Sequence, residues 1–211
     1  MKLLVLLPAV AVAGCAAPSP APDYDALARQ VVDGSFRSQG IAGVERLQQD
    51  ASNAECSKSL GQPLAEAKAD AIMKAALASV KPPSDGQWIG DWQGGERLAQ
   101  SGRGMTWTDA SAAPAANGGS CYNCHQIGPA EISYGTVGPS LLGYGKLRGV
   151  SDPASPASRP IVEYTWNKLW NAKAYNACSG MPRFGHTGML DEKQLKDLMA
   201  LLLDPKSPVN R

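Results

Sequence analysis

Cys121-Tyr122-Asn123-Cys124-His125 is the part of the chain whose residue types and spacing point most directly to chemistry. Two thiols three positions apart, followed at once by an imidazole, match the attachment pattern of a c-type haem. The spacing has a physical reason. The two sulfurs reach the two vinyl groups on one porphyrin edge, and the adjacent histidine then lies beneath the iron. The same residues could instead form a redox dithiol or half of a zinc site. Zinc needs further ligands at comparable spacing, and only His186 and scattered cysteines remain. A dithiol oxidoreductase places its motif where a strand meets a helix, and no strand is expected before Cys121. One covalently bound haem c is therefore the expected cofactor, with thioethers at Cys121 and Cys124 and His125 as an axial ligand.

A second axial ligand must come from elsewhere. Met181-Pro182 follows a helix and a loop downstream of His125, a placement similar to class I cytochromes c. A thioether opposite an imidazole favours ferrous iron and raises the potential. Met189, His186, Met105 and Met199 compete for the role; His186 would give bis-histidine ligation and a lower potential. Met199 falls on the packed face of the last helix, where a core role is expected. Gly138-Pro139-Ser140-Leu141 strengthens the resemblance to class I cytochromes c. In that family a proline carbonyl at this place accepts the proximal histidine's Nδ1–H, which fixes the ring and raises its basicity. Carried over, Pro139 serves His125; the plainer reading is an ordinary Gly-Pro turn.

The elements that must position these groups read as helices. Asp25 to Val32 can form a short helix ended by Gly34. Pro63 to Val80 carries Ala65, Ala69, Ile72, Met73, Ala76 and Val80 on one face, a packing stripe. Ile161, Tyr164, Trp166, Leu169 and Trp170 give the stretch from Pro160 to Asn171 an aromatic face. The last helix is the clearest: Asp191 and Gln194 form a capping box, Leu190 and Leu195 a hydrophobic staple, and Pro205 stops the run. Lys81 to Gly86 is a break. The expected fold is mainly α: a class I cytochrome c-like domain over 87–211 and a helical N-terminal extension over 24–86.

The chain has 211 residues, with 20 basic and 19 acidic side chains and a net charge of +1. No basic stripe argues for nucleic acid. Lys2 and the apolar run Leu3–Ala13 read as an export signal. Val12-Ala13-Gly14-Cys15 resembles the lipobox of bacterial lipoproteins, in which the cysteine becomes the lipidated first residue. The expectation is a signal over 1–15, a Pro/Ala-rich tether over 16–23, a periplasmic location, and membrane contact only through a lipid on Cys15. An ordinary signal peptide with an incidental Cys15 is the plainer alternative. The remaining cysteines, Cys56 and Cys178, are expected to pair, because unpaired thiols of exported proteins tend to oxidise; otherwise they are two buried thiols that never meet. A bridge there would pin the Met181 loop to the N-terminal extension.

From about residue 88 to 208 the chain resembles SoxX, the mono-haem subunit of the sulfur-oxidation cytochrome SoxAX. The resemblance is carried by Cys121 to Gln126, Gly138 to Gly145, Asn171-Ala172-Lys173-Ala174-Tyr175-Asn176, Met181-Pro182-Arg183-Phe184-Gly185, and the closing helix. It implies a SoxA-type partner in a heterodimer, with the catalytic cysteine of an L-cysteine S-thiosulfotransferase on that partner. Together they would join thiosulfate oxidatively to a cysteine of the carrier SoxYZ. This chain would take electrons from the SoxA side and pass them to a small periplasmic cytochrome c. The lipobox departs from the soluble members of the family, and 24–81 departs from its compact form. A stand-alone membrane-tethered electron carrier of a respiratory chain is the competing reading. A haem peroxidase or gas sensor, a weaker one, would need an open distal position, which a Met181 ligand closes.

With Cys15 given to lipid, Cys121 and Cys124 to haem, and Cys56 and Cys178 to each other, no cysteine is left as a nucleophile. If Cys15 carries lipid, detergent will be needed to extract the native protein, and Cys15→Ser will release it or leave it unprocessed. Intact-mass data showing a mature chain without acyl groups would defeat the assignment.

Overall fold

A computed structural model describes residues 21–211. The expected signal segment, Cys15 and most of the 16–23 tether lie outside the described residues. Among the described residues there is no strand, only an isolated bridge between Gln39 and Ala42. The regular structure is helical: α1 (Tyr24–Ser35), α2 (Ala51–Lys58), α3 (Glu66–Ala78), α4 (Trp92–Gln100), α5 (Arg159–Trp170) and α6 (Glu192–Leu203), joined by long loops and short 3₁₀ turns. None of these helices is long and apolar enough to cross a membrane.

The described residues fall into two compact units, 21–36 and 37–211. In the first, α1 starts at Asp23, whose carboxylate accepts the Ala26 N–H at 2.9 Å. In the second, α6 is the centre. Asp191 and Gln194 form the capping box that the sequence spells, with bonds of 2.8 and 2.9 Å. Leu195, Leu198, Met199, Ala200, Leu201 and Leu203 are all essentially removed from solvent. Each large apolar side chain so buried contributes roughly 1.5–3 kcal/mol. A helix buried on nearly every side needs partners on nearly every side, and α4 and α5 supply them.

α4 reaches α6 by having no side chain where they meet. A Cβ on Gly95 would lie 2.1 Å from the Asp197 carbonyl oxygen. Asp197 then ties the two helices: its Oδ1 accepts the Asp91 N–H at 2.9 Å, and its Oδ2 receives Lys193 at 2.7 Å. Asp91 in turn caps α4 by accepting from Gln93 and Gly94.

On the other flank, α5 donates both of its indoles to backbone of the preceding segment. Trp166 Nε1 meets the Lys81 carbonyl at 2.8 Å, and Trp170 Nε1 meets that of Ser79 at 3.1 Å. Trp88 packs edge-on to Trp166, with ring centroids 5.6 Å apart. The break at 81–86 is thus a bend inside one compact unit, and α3 packs on the 3₁₀ turn Ala172–Ala174.

Gly95→Ala gains helix propensity but drives a methyl into backbone that cannot swing aside. It is expected to destabilise by about 1–3 kcal/mol through overpacking. Gly34→Ala, which lies within α1 and whose Cβ would meet nothing within 4 Å, should not lower the denaturation midpoint. An unaltered midpoint for Gly95→Ala would contradict the close approach of α4 to α6.

Candidate functional site

The approach to Cys121 is fixed by the end of α4. Gly119 N–H donates to Leu98 O at 2.8 Å, and Ser120 N–H to Ser101 O at 2.9 Å. Ser120 takes a left-handed backbone conformation, with φ of 51°, and its hydroxyl accepts from Asn123 Nδ2 at 2.7 Å. That reversal starts the 3₁₀ turn Cys121–Asn123, which the His125 N–H closes onto Cys121 O at 2.9 Å. Both thiols of the turn are free.

A second segment runs along this turn. Gly135 N–H donates to Tyr122 O, Gly138 N–H to Cys124 O and Leu141 N–H to Gln126 O, at 2.8, 2.8 and 2.7 Å. Ser140 Oγ adds a bond to Gln126 Oε1 at 3.0 Å. The result brings Pro139 O to 2.7 Å from His125 Nδ1. A carbonyl can only accept, so Nδ1 carries the proton and Nε2 is left with a lone pair. The ring lies close against Gly138, where a Cβ would fall 2.2 Å from Cε1.

The chemistry of the donor set is specific. Burial pushes the Cys121 thiol up to about 12, the reverse of the lowered pKa that activates a redox dithiol. Among the described residues no three His, Cys, Asp or Glu side chains converge on a metal position, so Cys121, Cys124 and His125 lack the further donors of a tetrahedral zinc. What the arrangement offers is two half-buried thiols and one oriented imidazole nitrogen.

Met181 lies on the loop between the Ala172–Ala174 turn and α6. It is partly buried against the same core as Cys121, Leu141 and Met189. The other candidates sit differently. Met199 is fully buried on α6. Met105 has a left-handed backbone and gives its carbonyl to Arg46 at 2.7 Å. His186 lines a cleft of about 450 Å³ with Asp50, Ile72, Lys173 and Arg183.

Cys56 on α2 and Cys178 are joined, with Cα atoms 5.5 Å apart. The bridge ties the loop three residues before Met181 to α2. A second tie lies beside it: Arg183 pairs with Asp50, the N-cap of α2. Sequence reasoning did not find Asp50 or the buried Lys173. Lys173 stood in a stretch that carried the family resemblance, but nothing local marks Asp50 as a partner of Arg183.

No family model matches the chain. It is 36% identical over 144 residues to an uncharacterized lipoprotein of Aquifex aeolicus (strain VF5). The alignment covers 66% of this chain and 62% of that protein, so the chain spans less than two thirds of the relative's length.

Burial alone would raise the Asp50 carboxyl, but the Asn53 amide, the Ser52 hydroxyl and the Arg183 guanidinium outweigh it and hold the group well below the usual carboxylate range. A depressed folded pKa contributes stability that is complete above the unfolded value, about 4, and is lost as pH falls toward the folded one. Asp50→Asn keeps a capping oxygen for α2 and removes the charge. The stability gap between the native protein and this variant should therefore narrow steadily from about pH 5 to pH 2. A gap independent of pH in denaturant titrations would exclude the ion pair as its source.

Proposed function

We propose that the chain is a c-type cytochrome that carries one haem and passes single electrons. The observation that carries this reading is the His125 ring, set by the Pro139 carbonyl at 2.7 Å beside two free thiols at the start and the cap of one 3₁₀ turn. These residues fit the group. Cys121 and Cys124 would hold it by thioethers, and His125 Nε2 would face the iron. The haem supplies a one-electron ferric–ferrous couple. The protein's part is to fix and tune it: the Pro139 carbonyl stops the ring from rotating and makes Nε2 a better donor.

Met181 is the sixth ligand in this reading, in a class I cytochrome c-like arrangement. A soft thioether there raises the potential and closes the iron to substrate. The resemblance to SoxX over 88–208 supports a place as the electron-transfer subunit beside a SoxA-type cytochrome. The chain would accept the electrons released when thiosulfate is joined to the SoxYZ carrier and deliver them to a small periplasmic cytochrome c. The lipobox ending at Cys15, together with a relative named as a lipoprotein, supports a lipid anchor in the periplasm. That same observation favours a second reading, a stand-alone tethered electron carrier. Purification from thiosulfate-grown cells separates the two: a cytochrome partner with a reactive cysteine accompanies the chain in the first and is missing in the second.

Ferric protein is expected to show the weak near-infrared sulfur-to-iron band. Met181→Ala should abolish it and lower the potential, whereas Met189→Leu should keep both. A band retained in Met181→Ala and lost in Met189→Leu would move the ligand to Met189.

A further inference from the structure

The two sulfurs of the bridge are not equivalent. Cys178 is exposed, whereas Cys56 is partly covered. The Lys173 ammonium stands 4.0 Å from Cys56 Sγ and donates to Ala177 O at 3.1 Å. Lys173 is 3% exposed, and no carboxylate lies within ion-pair distance of it among the described residues. Burial and the nearby Arg183 disfavour charge on Lys173, and Asp50 opposes them only from beyond ion-pair distance; negative charge on Cys56, at 4.0 Å, would support the charged form. The bridge therefore presents its exposed residue, Cys178, to attack, and an anion formed on the leaving Cys56 sulfur would lie 4.0 Å from an ammonium.

We propose that Cys56–Cys178 is a redox site opened by a dithiol at Cys178, and that its opening releases the loop carrying Met181. The attacking thiolate forms a bond to Cys178 Sγ. The bond between the cysteine sulfurs breaks, and its electron pair leaves on Cys56, beside Lys173. The second thiol of the reductant, as thiolate, then attacks its own sulfur in the mixed disulfide and expels the Cys178 thiolate, which takes a proton from water. The dithiol ends as its disulfide, and Cys56 and Cys178 have gained the two electrons. A lower leaving-group pKa speeds the first step.

After opening, the loop keeps the Arg183–Asp50 pair as its tie to α2. Asp50 is substantially exposed, and exposed pairs hold weakly. The consequence for Met181 rests on its reading as an iron ligand; the opening chemistry does not.

The holoprotein is treated with glutathione and with dithiothreitol under native conditions, and the products are mapped by mass after thiol trapping. Glutathione should add at Cys178 and leave Cys56 as the trapped thiol, and dithiothreitol should open the bridge without unfolding. Lys173→Met should slow opening roughly threefold to tenfold, and Lys173→Arg should restore it. Adducts on Cys56, or a bridge closed until the protein unfolds, would overturn the site. So would equal rates in a folded Lys173→Met variant; if that variant does not fold, the adduct position in the native protein decides. The latch is read separately in the ferric Cys56→Ser/Cys178→Ser double variant, whose near-infrared band should weaken relative to the native protein. An unchanged band overturns the latch, while a native protein with no such band overturns the Met181 reading and leaves the thiol results standing.

Discussion

The missing side chain of Gly95, whose Cβ would lie 2.1 Å from the Asp197 carbonyl oxygen, lets α4 come against α6, and much of the site is hung from that contact. The end of α4 delivers Gly119 and Ser120 through bonds to Leu98 O and Ser101 O, and these start the Cys121 turn. The end of α6 receives the other half. Gly145 N–H donates to Leu202 O at 3.1 Å, and Gly143 N–H to Val209 O at 2.7 Å. Asn210 adds an acceptor for the Gly145 and Lys146 amides. The turn that carries His125 and the segment that carries Pro139 are therefore fastened to one helix pair, and the 2.7 Å between Nδ1 and the carbonyl follows from how that pair packs. On the proposed haem ligation, a ring held by a rigid core would need little reorganisation when the iron changes charge.

Local signals made α6 legible, because the capping box, the staple and a leucine repeat specify it within its own residues. The His125–Pro139 contact was legible only through the resemblance to class I cytochromes c, since Gly-Pro alone reads as an ordinary turn. α3 and α5 were legible from one-sided apolar and aromatic faces, and α1 as a short helix, with ends that shift by a few residues where capping differs. α1 begins at Tyr24, behind the Asp23 cap, rather than at Asp25, for example, and α3 begins at Glu66 rather than Pro63. α4 and α2 were not legible. Gly94-Gly95 argues against a helix on propensity, yet the missing side chains are what let α4 pack. α2 carries no apolar stripe, so its support comes from elsewhere: Cys56 is bonded across 122 residues of chain. Such partners leave no periodic trace. The same holds for Arg183–Asp50, which spans 133 residues.

The aromatic flank shows how polar backbone is fitted at the edge of the core. The Ser79 and Lys81 carbonyls lie against α5, where a missing partner for each would cost about 1–3 kcal/mol. The indole N–H groups of Trp170 and Trp166 meet them, so each ring contributes apolar area and satisfies a carbonyl. Asn171 extends the arrangement, donating to Ser79 Oγ at 3.1 Å while its own oxygen accepts the Lys173 N–H. The turn after α5 is thereby set against the end of α3, and Lys173 is directed into the interior.

That direction gives the segment before residue 86 a physical role at a distance from the thiol turn. The Met181 loop is joined to α2 by one covalent bond and one ion pair, and α3 supports the turn from which the loop departs. A thioether is a weak ligand, so on the proposed ligation its occupancy depends on how little entropy the loop loses when the sulfur binds. Each backbone residue fixed at that moment costs roughly 1–2 kcal/mol. A loop already held at Cys178 and Arg183 has lost most of that freedom beforehand. Residues that supply no ligand would thus set how firmly the sulfur is held, and the bond most open to chemical change, at Cys178, is the one that holds it.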